Sequence, residues 1–481
     1  MRVVLAFAVN TLFYLIIGLM VAKFLGPEEY GRFALALALG IVVQTAFFDW
    51  LKLAATRFYS ARSRHASPEL RATLDTAFSV LTIAVTAAAI GLLLSGIDFK
   101  LSNALVGLAL AAAIANGLFD YHTAMVRARF MDHEYARLVI VKNLAAFLLT
   151  GGGAFVFGSA KMALMGACLA LVGSVFSVRI ALHDPQSPPA LASSMAARGA
   201  FAYAFPIIAA NVLYQLVPFF NRSLIAGQYG FAESGQFSLA FDIGVRIVAA
   251  IGSTLDVLLF QIAVLADENH GAAQARAQIA RNFAIVFAIV APACAGLWLT
   301  LPSIEQIIVP QQFRGPFAHY LGLLVPGLFC YAMLFYGVNP MFQIVRRTGP
   351  LVVTAVVAAL ADLTLVLALP RAPGAGLIVM AQGGMFILAF VLLAGIAMAS
   401  RAQWPPWRGF AATMAGVAVM FAALLPLRQW PPGLLVLALQ IIGGIGIYGA
   451  FVAVFDIAGL RSALRGRWQS RVAPATGKRV S

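Results

Sequence analysis

The sequence predicts an all-α polytopic membrane protein. About fourteen transmembrane helices form two six-helix lobes in parallel repeat, followed by two C-terminal helices. Three observations predict this. First, 62% of the 481 residues are hydrophobic and only 11% are charged, with a mean hydropathy of +0.91. A soluble domain carries about a quarter charged residues, so this much apolar surface requires lipid as its solvent. Second, apolar runs of about 20 residues, each able to cross a ~30 Å hydrocarbon core, recur into the C-terminal region. They are continuous rather than alternating, which excludes barrel strands. Third, a short motif is duplicated.

That motif is Phe24–Ala36, FLGPEEYGRFALA, a polar turn between two apolar runs. A degenerate copy, GFAESGQFSLA, lies 204 positions later at Gly230–Ala240. Six of eleven positions match: Gly26/Gly230, Glu29/Glu233, Gly31/Gly235, Phe33/Phe237, Leu35/Leu239 and Ala36/Ala240. The glycines and Pro27 suit hairpin geometry better than ligand binding.

The fourteen expected spans are 3–25, 32–51, 73–95, 102–124, 138–157, 161–181, 201–226, 236–262, 281–301, 317–338, 350–369, 375–398, 409–427 and 433–455. Pro and Gly pairs such as Pro405-Pro406 and Pro431-Pro432 punctuate them. Span 1 is too long for a signal-peptide core, and Gly26-Pro27-Glu28-Glu29 stands where a small-residue cleavage site would be, so it is expected to stay in the membrane. Both copies of the motif follow an odd-numbered span, which makes the repeats parallel. The expected organisation is a first lobe over 1–181 (spans 1–6), a Pro- and Ser-rich cytoplasmic linker over 182–200 and a second lobe over 201–400 (spans 7–12). Spans 13 and 14 occupy 401–460, and 461–481 is a basic cytoplasmic tail.

Orientation follows from the basic residues. Alternating loops collect 24 Lys and Arg on one side and 8 on the other, with Arg246 inside a span. This asymmetry puts both termini in the cytoplasm and both copies of the turn outside. It also accounts for the net charge of +15 with no nucleic-acid partner. Cys168, Cys294 and Cys330 are scattered through apolar spans and form neither a disulfide framework nor a metal site.

Polar residues inside spans are costly, about 2.5–3.5 kcal/mol for a charge at the bilayer centre, so they mark a cavity or a partner. Arg246 lies eleven residues past Gly235, roughly 16 Å deep at 1.5 Å per residue. Asp242 precedes it at i−4 on the same face. Their repeat counterparts are Val42 and Ala38, so the charges belong to the second lobe alone. Arg246 reads either as a cavity cation that binds an anion, tuned by Asp242, or as one half of a self-satisfied Asp–Arg pair. Asp362, near the middle of span 11, reads as a proton or cation site, as the partner of a basic residue, or as a protonated, hydrogen-bonded acid. Arg222, beside Asn221 near the outer end of span 7, is expected to snorkel to the interface, with a cavity role as the alternative. Asp49, Lys52 and Arg57 close the inner end of span 2, and Asp49 and Lys52 share a face. They act as cytoplasmic anchors or as a vestibule for an acidic head group, and Asp120, His122, Arg127 and Arg129 on span 4 divide the same way. Amides at Asn10, Gln44, Asn211, Gln215, Asn339, Gln343 and Gln382 suit interhelical hydrogen bonds and, together, a cavity that holds sugars. The sequence contains no GxxxxGK[ST], HExxH or CxxC motif, and no cofactor is expected.

The stretch VAKFLGPEEYGRFALALA, set between the first two apolar spans, resembles the N-terminal signature of the Wzx-type polysaccharide flippases. These belong to the multidrug/oligosaccharidyl-lipid/polysaccharide exporter superfamily. The resemblance extends to the layout of two six-helix lobes plus two helices. It implies a bacterial inner-membrane protein that works by alternating access, turning an undecaprenyl-pyrophosphate-linked oligosaccharide from the inner to the outer leaflet. The implied partners are that lipid-linked oligosaccharide, membrane lipids, a coupling H+ or Na+, and a polysaccharide polymerase complex. A pyrophosphate suits a buried cation such as Arg246. The competing readings are a cation-coupled drug antiporter of the same superfamily, a lipid II flippase, and a membrane-embedded polymerase or acyltransferase. The short loops argue against an enzyme.

Overall fold

The computed structural model describes residues 2–60, 67–95, 101–184, 186–344, 348–370, 373–400, 403–459 and 461–462. For residues 2–11, 256–258, 260, 264, 267–268, 270, 272 and 344 it describes the backbone only. The side chain of Asn10 and nearly all of the expected basic tail therefore lie outside the described residues.

All regular structure among the described residues is helical. The helices are α1 (Arg2–Phe47), α2 (Asp49–Phe58), α3 (Pro68–Leu94), α4 (Asn103–Ala128), α5 (Asp132–Phe157), α6 (Ala160–Leu182) and α7 (Ser194–Tyr229). They continue with α8 (Phe231–His270), α9 (Ala272–Ile308), α10 (Pro316–Gln343), α11 (Gly349–Ala368), α12 (Gly376–Ala399), α13 (Trp407–Leu424) and α14 (Leu434–Phe455). Thirteen of these segments are long and apolar enough to cross a membrane. The expected first and second spans are the two arms of α1, which bends at Gly26, a residue outside helical space at φ 73° and ψ 172°. Pro27 opens the second arm, where its missing N–H costs nothing.

The distribution of polarity confirms lipid as the solvent. In α14 only Val436 and Gln440 are buried, and the Gln440 amide donates to the Leu299 carbonyl at 3.2 Å. Leu435, Ile442 and Ile445 of the same helix are about 70% exposed. A water-soluble helix would turn these faces the other way.

The chain divides into two compact units. One comprises Met1–Arg246, Val309–Leu324 and Thr348–Met385; the other comprises Ile247–Ile308, Val325–Arg347 and Phe386–Ser481. The first holds a core of Phe48, Leu51, Leu74, Tyr121, Met125 and Leu138, built on the buried face of α2. In the second, Leu299, Met420 and Leu424 pack with Trp298 and Tyr448.

Within the first unit the duplicated turn is visible in the backbone. Gly230 takes the same left-handed conformation as Gly26, at φ 93° and ψ 166°, open to glycine at no steric cost. The two copies also pack against each other. A Cβ on Gly31 would stand 2.0 Å from the Phe231 carbonyl oxygen, and one on Gly235 would stand 2.0 Å from that of Pro27. The repeated glutamates do matching work. Glu29 accepts from the Ala160 N–H at 2.9 Å at the start of α6. Glu233 accepts from the Ala375 N–H at 3.5 Å, just before α12, and from the Tyr320 hydroxyl. Each carboxylate thus meets backbone donors that a helix start leaves open.

Candidate functional site

A cavity of about 230 Å³ lies in the first unit among α1, α4, α5, α6 and α8. Its charged lining is Lys142, Asp242 and Arg246, and Tyr14, Asn116, Asn143 and Thr150 add polar groups. Local sequence shapes it. The Gly151–Gly153 run lets helices approach closely: a Cβ on Gly151 would meet the Met20 side chain, and one on Gly153 would lie 2.8 Å from the Met162 carbonyl oxygen. Across that contact, α5 carries a π-helical segment over Ala146–Gly151. Such a bulge re-aims side chains and often marks a functional position. Here it directs Ala146 and Thr150 to the cavity, and the Thr150 hydroxyl is buried with no hydrogen-bond partner among the described residues.

The cations meet around one aromatic ring. The Arg246 guanidinium lies 4.9 Å from the Tyr14 ring centroid, and the Lys142 ammonium lies 4.0 Å from it and 5.3 Å from that of Phe119. Lys142 is only 4% exposed. Lys142 is one of the 24 basic residues that the loop count assigns to the cytoplasmic side. Only its burial reveals the second cavity cation.

The self-satisfied Asp242–Arg246 pair, one of the two readings of these residues, does not form. Asp242 binds Arg222 instead, with the guanidinium donating at 2.5 Å. Arg222 does not snorkel: its side chain is 5% exposed, and it also donates to the Ala34 carbonyl at 3.3 Å. Arg222 lies eight residues before Gly230 and Asp242 twelve after it, so the α7–α8 hairpin brings them to similar depth. With Asp242 engaged there, Arg246 has no carboxylate within ion-pair distance among the described residues.

Asp362 sits apart from this cavity, in a buried polar cluster. The Asn221 amide donates to its carboxylate at 3.2 Å and to Gln382 Oε1 at 2.8 Å. Asp362, Asn221 and Gln382 are 2%, 0% and 0% exposed, and no basic residue pairs with Asp362 among the described residues. Asn221 Oδ1 and Gln382 Nε2 are left without partners among the described residues.

The two inner clusters read from spans 2 and 4 merge. Lys52 pairs with Asp120 at 2.8 Å rather than with Asp49, and the Gln44 amide donates to Asp120 at 3.2 Å and to Asp49 at 3.3 Å. This mutual neutralisation favours anchoring over a head-group vestibule.

No family model matches the sequence, and no curated protein does. Solved structures do match. The structure titled "Lipid II flippase MurJ, inward closed conformation" superposes with a TM-score of 0.70 at 14% identity, over 94% of this chain and 98% of that one. An inward-facing multidrug-resistance MATE transporter of the MOP superfamily matches with a TM-score of 0.59 at 15% identity, over 81% of this chain and 95% of its own. A MOP superfamily transporter from Pyrococcus furiosus, described as having a binding pocket of reversed polarity, matches with a TM-score of 0.52 at 14% identity, over 84% and 95%. The chain therefore has the fold of MOP-superfamily transporters. The proteins that share this fold here are flippases and transporters.

Proposed function

We propose that this multi-pass membrane protein translocates an undecaprenyl-pyrophosphate-linked oligosaccharide from the inner to the outer leaflet of a bacterial inner membrane. The repeated halves, 1–181 and 201–400, alternate access, with both termini in the cytoplasm. One observation carries the reading: Arg246 and Lys142 converge on Tyr14 in a cavity whose only acidic residue, Asp242, is already paired. Two cations and a set of amides suit a diphosphate better than a cationic drug. The volume of about 230 Å³ falls below the ~300–1,000 Å³ of pockets for drug-sized ligands, so it receives the diphosphate and leaves the glycan outside it. Arg246 and Lys142 hold the phosphates, and Asn116, Asn143 and Thr150 offer neutral hydrogen bonds. Arg222 and Asp242 keep the α7–α8 hairpin in register. Lys52 and Asp49 belong to the inner anchor. Asp362 is the site for the coupling H+ or Na+, with the free Asn221 oxygen beside its carboxylate as a further acceptor.

The test is Arg246→Ala in a strain that depends on this chain for a surface glycan. The variant inserts normally, surface glycan disappears, and lipid-linked glycan accumulates on the inner leaflet. Normal surface glycan in that strain refutes the cavity role.

A further inference from the structure

The second unit contains a larger cavity, about 940 Å³, where the first turns of α9 and α13 meet the end of α14. Its rim carries Arg281 and Arg408, and its wall is Trp404, Phe287, Phe410 and Phe455. Both arginines are exposed and make no hydrogen bond or ion pair among the described residues. Arg281 lies beside Gly459, its Nη2 3.0 Å from where a Cβ on that glycine would be. Trp404 Nε1 is buried and has no acceptor among the described residues, an unfavourable state for an indole N–H unless a ligand supplies one. Asp456, the acidic lining residue, is engaged elsewhere: the Ser462 hydroxyl and N–H both donate to it, holding its carboxyl below its usual range.

Two guanidiniums and an indole N–H, unpartnered among the described residues, stand with an aromatic wall and form an acceptor-seeking site. Arg281 and Arg408 both lie on the side that the basic-residue asymmetry assigns to the cytoplasm. That leaflet surface is anionic, and basic pockets between transmembrane helices there suit lipid head groups. We propose that this cavity binds the phosphodiester of an anionic phospholipid in the adjoining leaflet. Arg281, Arg408 and Trp404 Nε1 donate to its oxygens, and the phenylalanine wall takes the upper part of its chains. A free phosphate would satisfy the donors but leave that wall without a partner. The site shares no residue with the Arg246 cavity and does not depend on the transport reading.

The experiment is native mass spectrometry of the purified full chain. Delipidated protein is titrated with phosphatidylglycerol, phosphatidylcholine or inorganic phosphate. The wild type retains phosphatidylglycerol in preference to phosphatidylcholine. Arg281→Gln/Arg408→Gln reduces that retention by about tenfold, the loss expected when charge-assisted hydrogen bonds are removed. Trp404→Phe, which keeps the aromatic wall, weakens it by a smaller factor. Equal phosphatidylglycerol retention by the wild type and the double variant overturns the proposal. So does displacement of the lipid by an equal concentration of inorganic phosphate.

Discussion

Arg222 and Arg246 occupy neighbouring helices of one unit, yet the structure assigns them different work, and stability measurements separate the two. Arg222→Gln removes a guanidinium that is 5% exposed and bound at 2.5 Å to a carboxylate that is 29% exposed. Deleting one partner of a fully buried pair costs about 3–5 kcal/mol, whereas exposed pairs contribute about 0–1 kcal/mol. The partial exposure of Asp242 moves the expected loss to about 2–3 kcal/mol. Asp242→Asn should cost less, because its amide oxygen still accepts from Arg222. The double variant Arg222→Met/Asp242→Leu should recover much of the loss, because no buried charge is then left alone. Arg246→Gln forfeits only its contact with Tyr14, 4.9 Å from the ring centroid, worth about 0.5–2 kcal/mol. Thermal unfolding of the purified variants in one detergent, followed by the surviving monodisperse fraction, reads the order. Arg222→Gln should melt well below the wild type and Arg246→Gln close to it. If Arg246→Gln melts as low as Arg222→Gln, the pairing is wrong and Arg246 is a structural residue.

Two further outcomes follow from the same geometry. Gly31→Ala forces a methyl to within 2.0 Å of the Phe231 carbonyl oxygen and should destabilise by about 1–3 kcal/mol. Gly91→Ala, with nothing within 4 Å, should be neutral or stabilising by up to about 1 kcal/mol; equal melting of the two variants would refute the close turn contact. Asp362→Asn preserves shape and the Asn221 contact, so it should fold normally. Its transport in vesicles should no longer respond to an imposed H+ or Na+ gradient, and a retained response would exclude Asp362 as the coupling site.

The helical membrane class was legible because it rests on composition and run length, which every stretch of chain carries locally. The turn at Gly26 was legible for the same reason: glycine and proline state their backbone preferences in the residues themselves. Twelve of the expected spans have their own helix, and the first two are the arms of α1 on either side of Gly26, whose backbone leaves helical space. The prominence of Arg246 was also legible, since a cation deep in an apolar run must be accommodated whatever surrounds it.

Partner choice was not legible. Spacing within one helix suggested Asp242 for Arg246, but the α7–α8 hairpin offered Asp242 a second cation at the same depth, Arg222, whose side chain is buried with it. Lys142 entered only the cytoplasmic count of basic residues, because nothing in its own helix shows that the face it occupies lines a cavity with Tyr14 and Arg246. Lys52 likewise reaches across to Asp120 instead of Asp49 on its own turn. By itself the sequence determined the helical membrane class, roughly where each span lies and where the chain turns. Only tertiary packing decided which charges pair with each other and which line a cavity, because that depends on the rotation and register of separate helices, and residue spacing along one chain does not encode either.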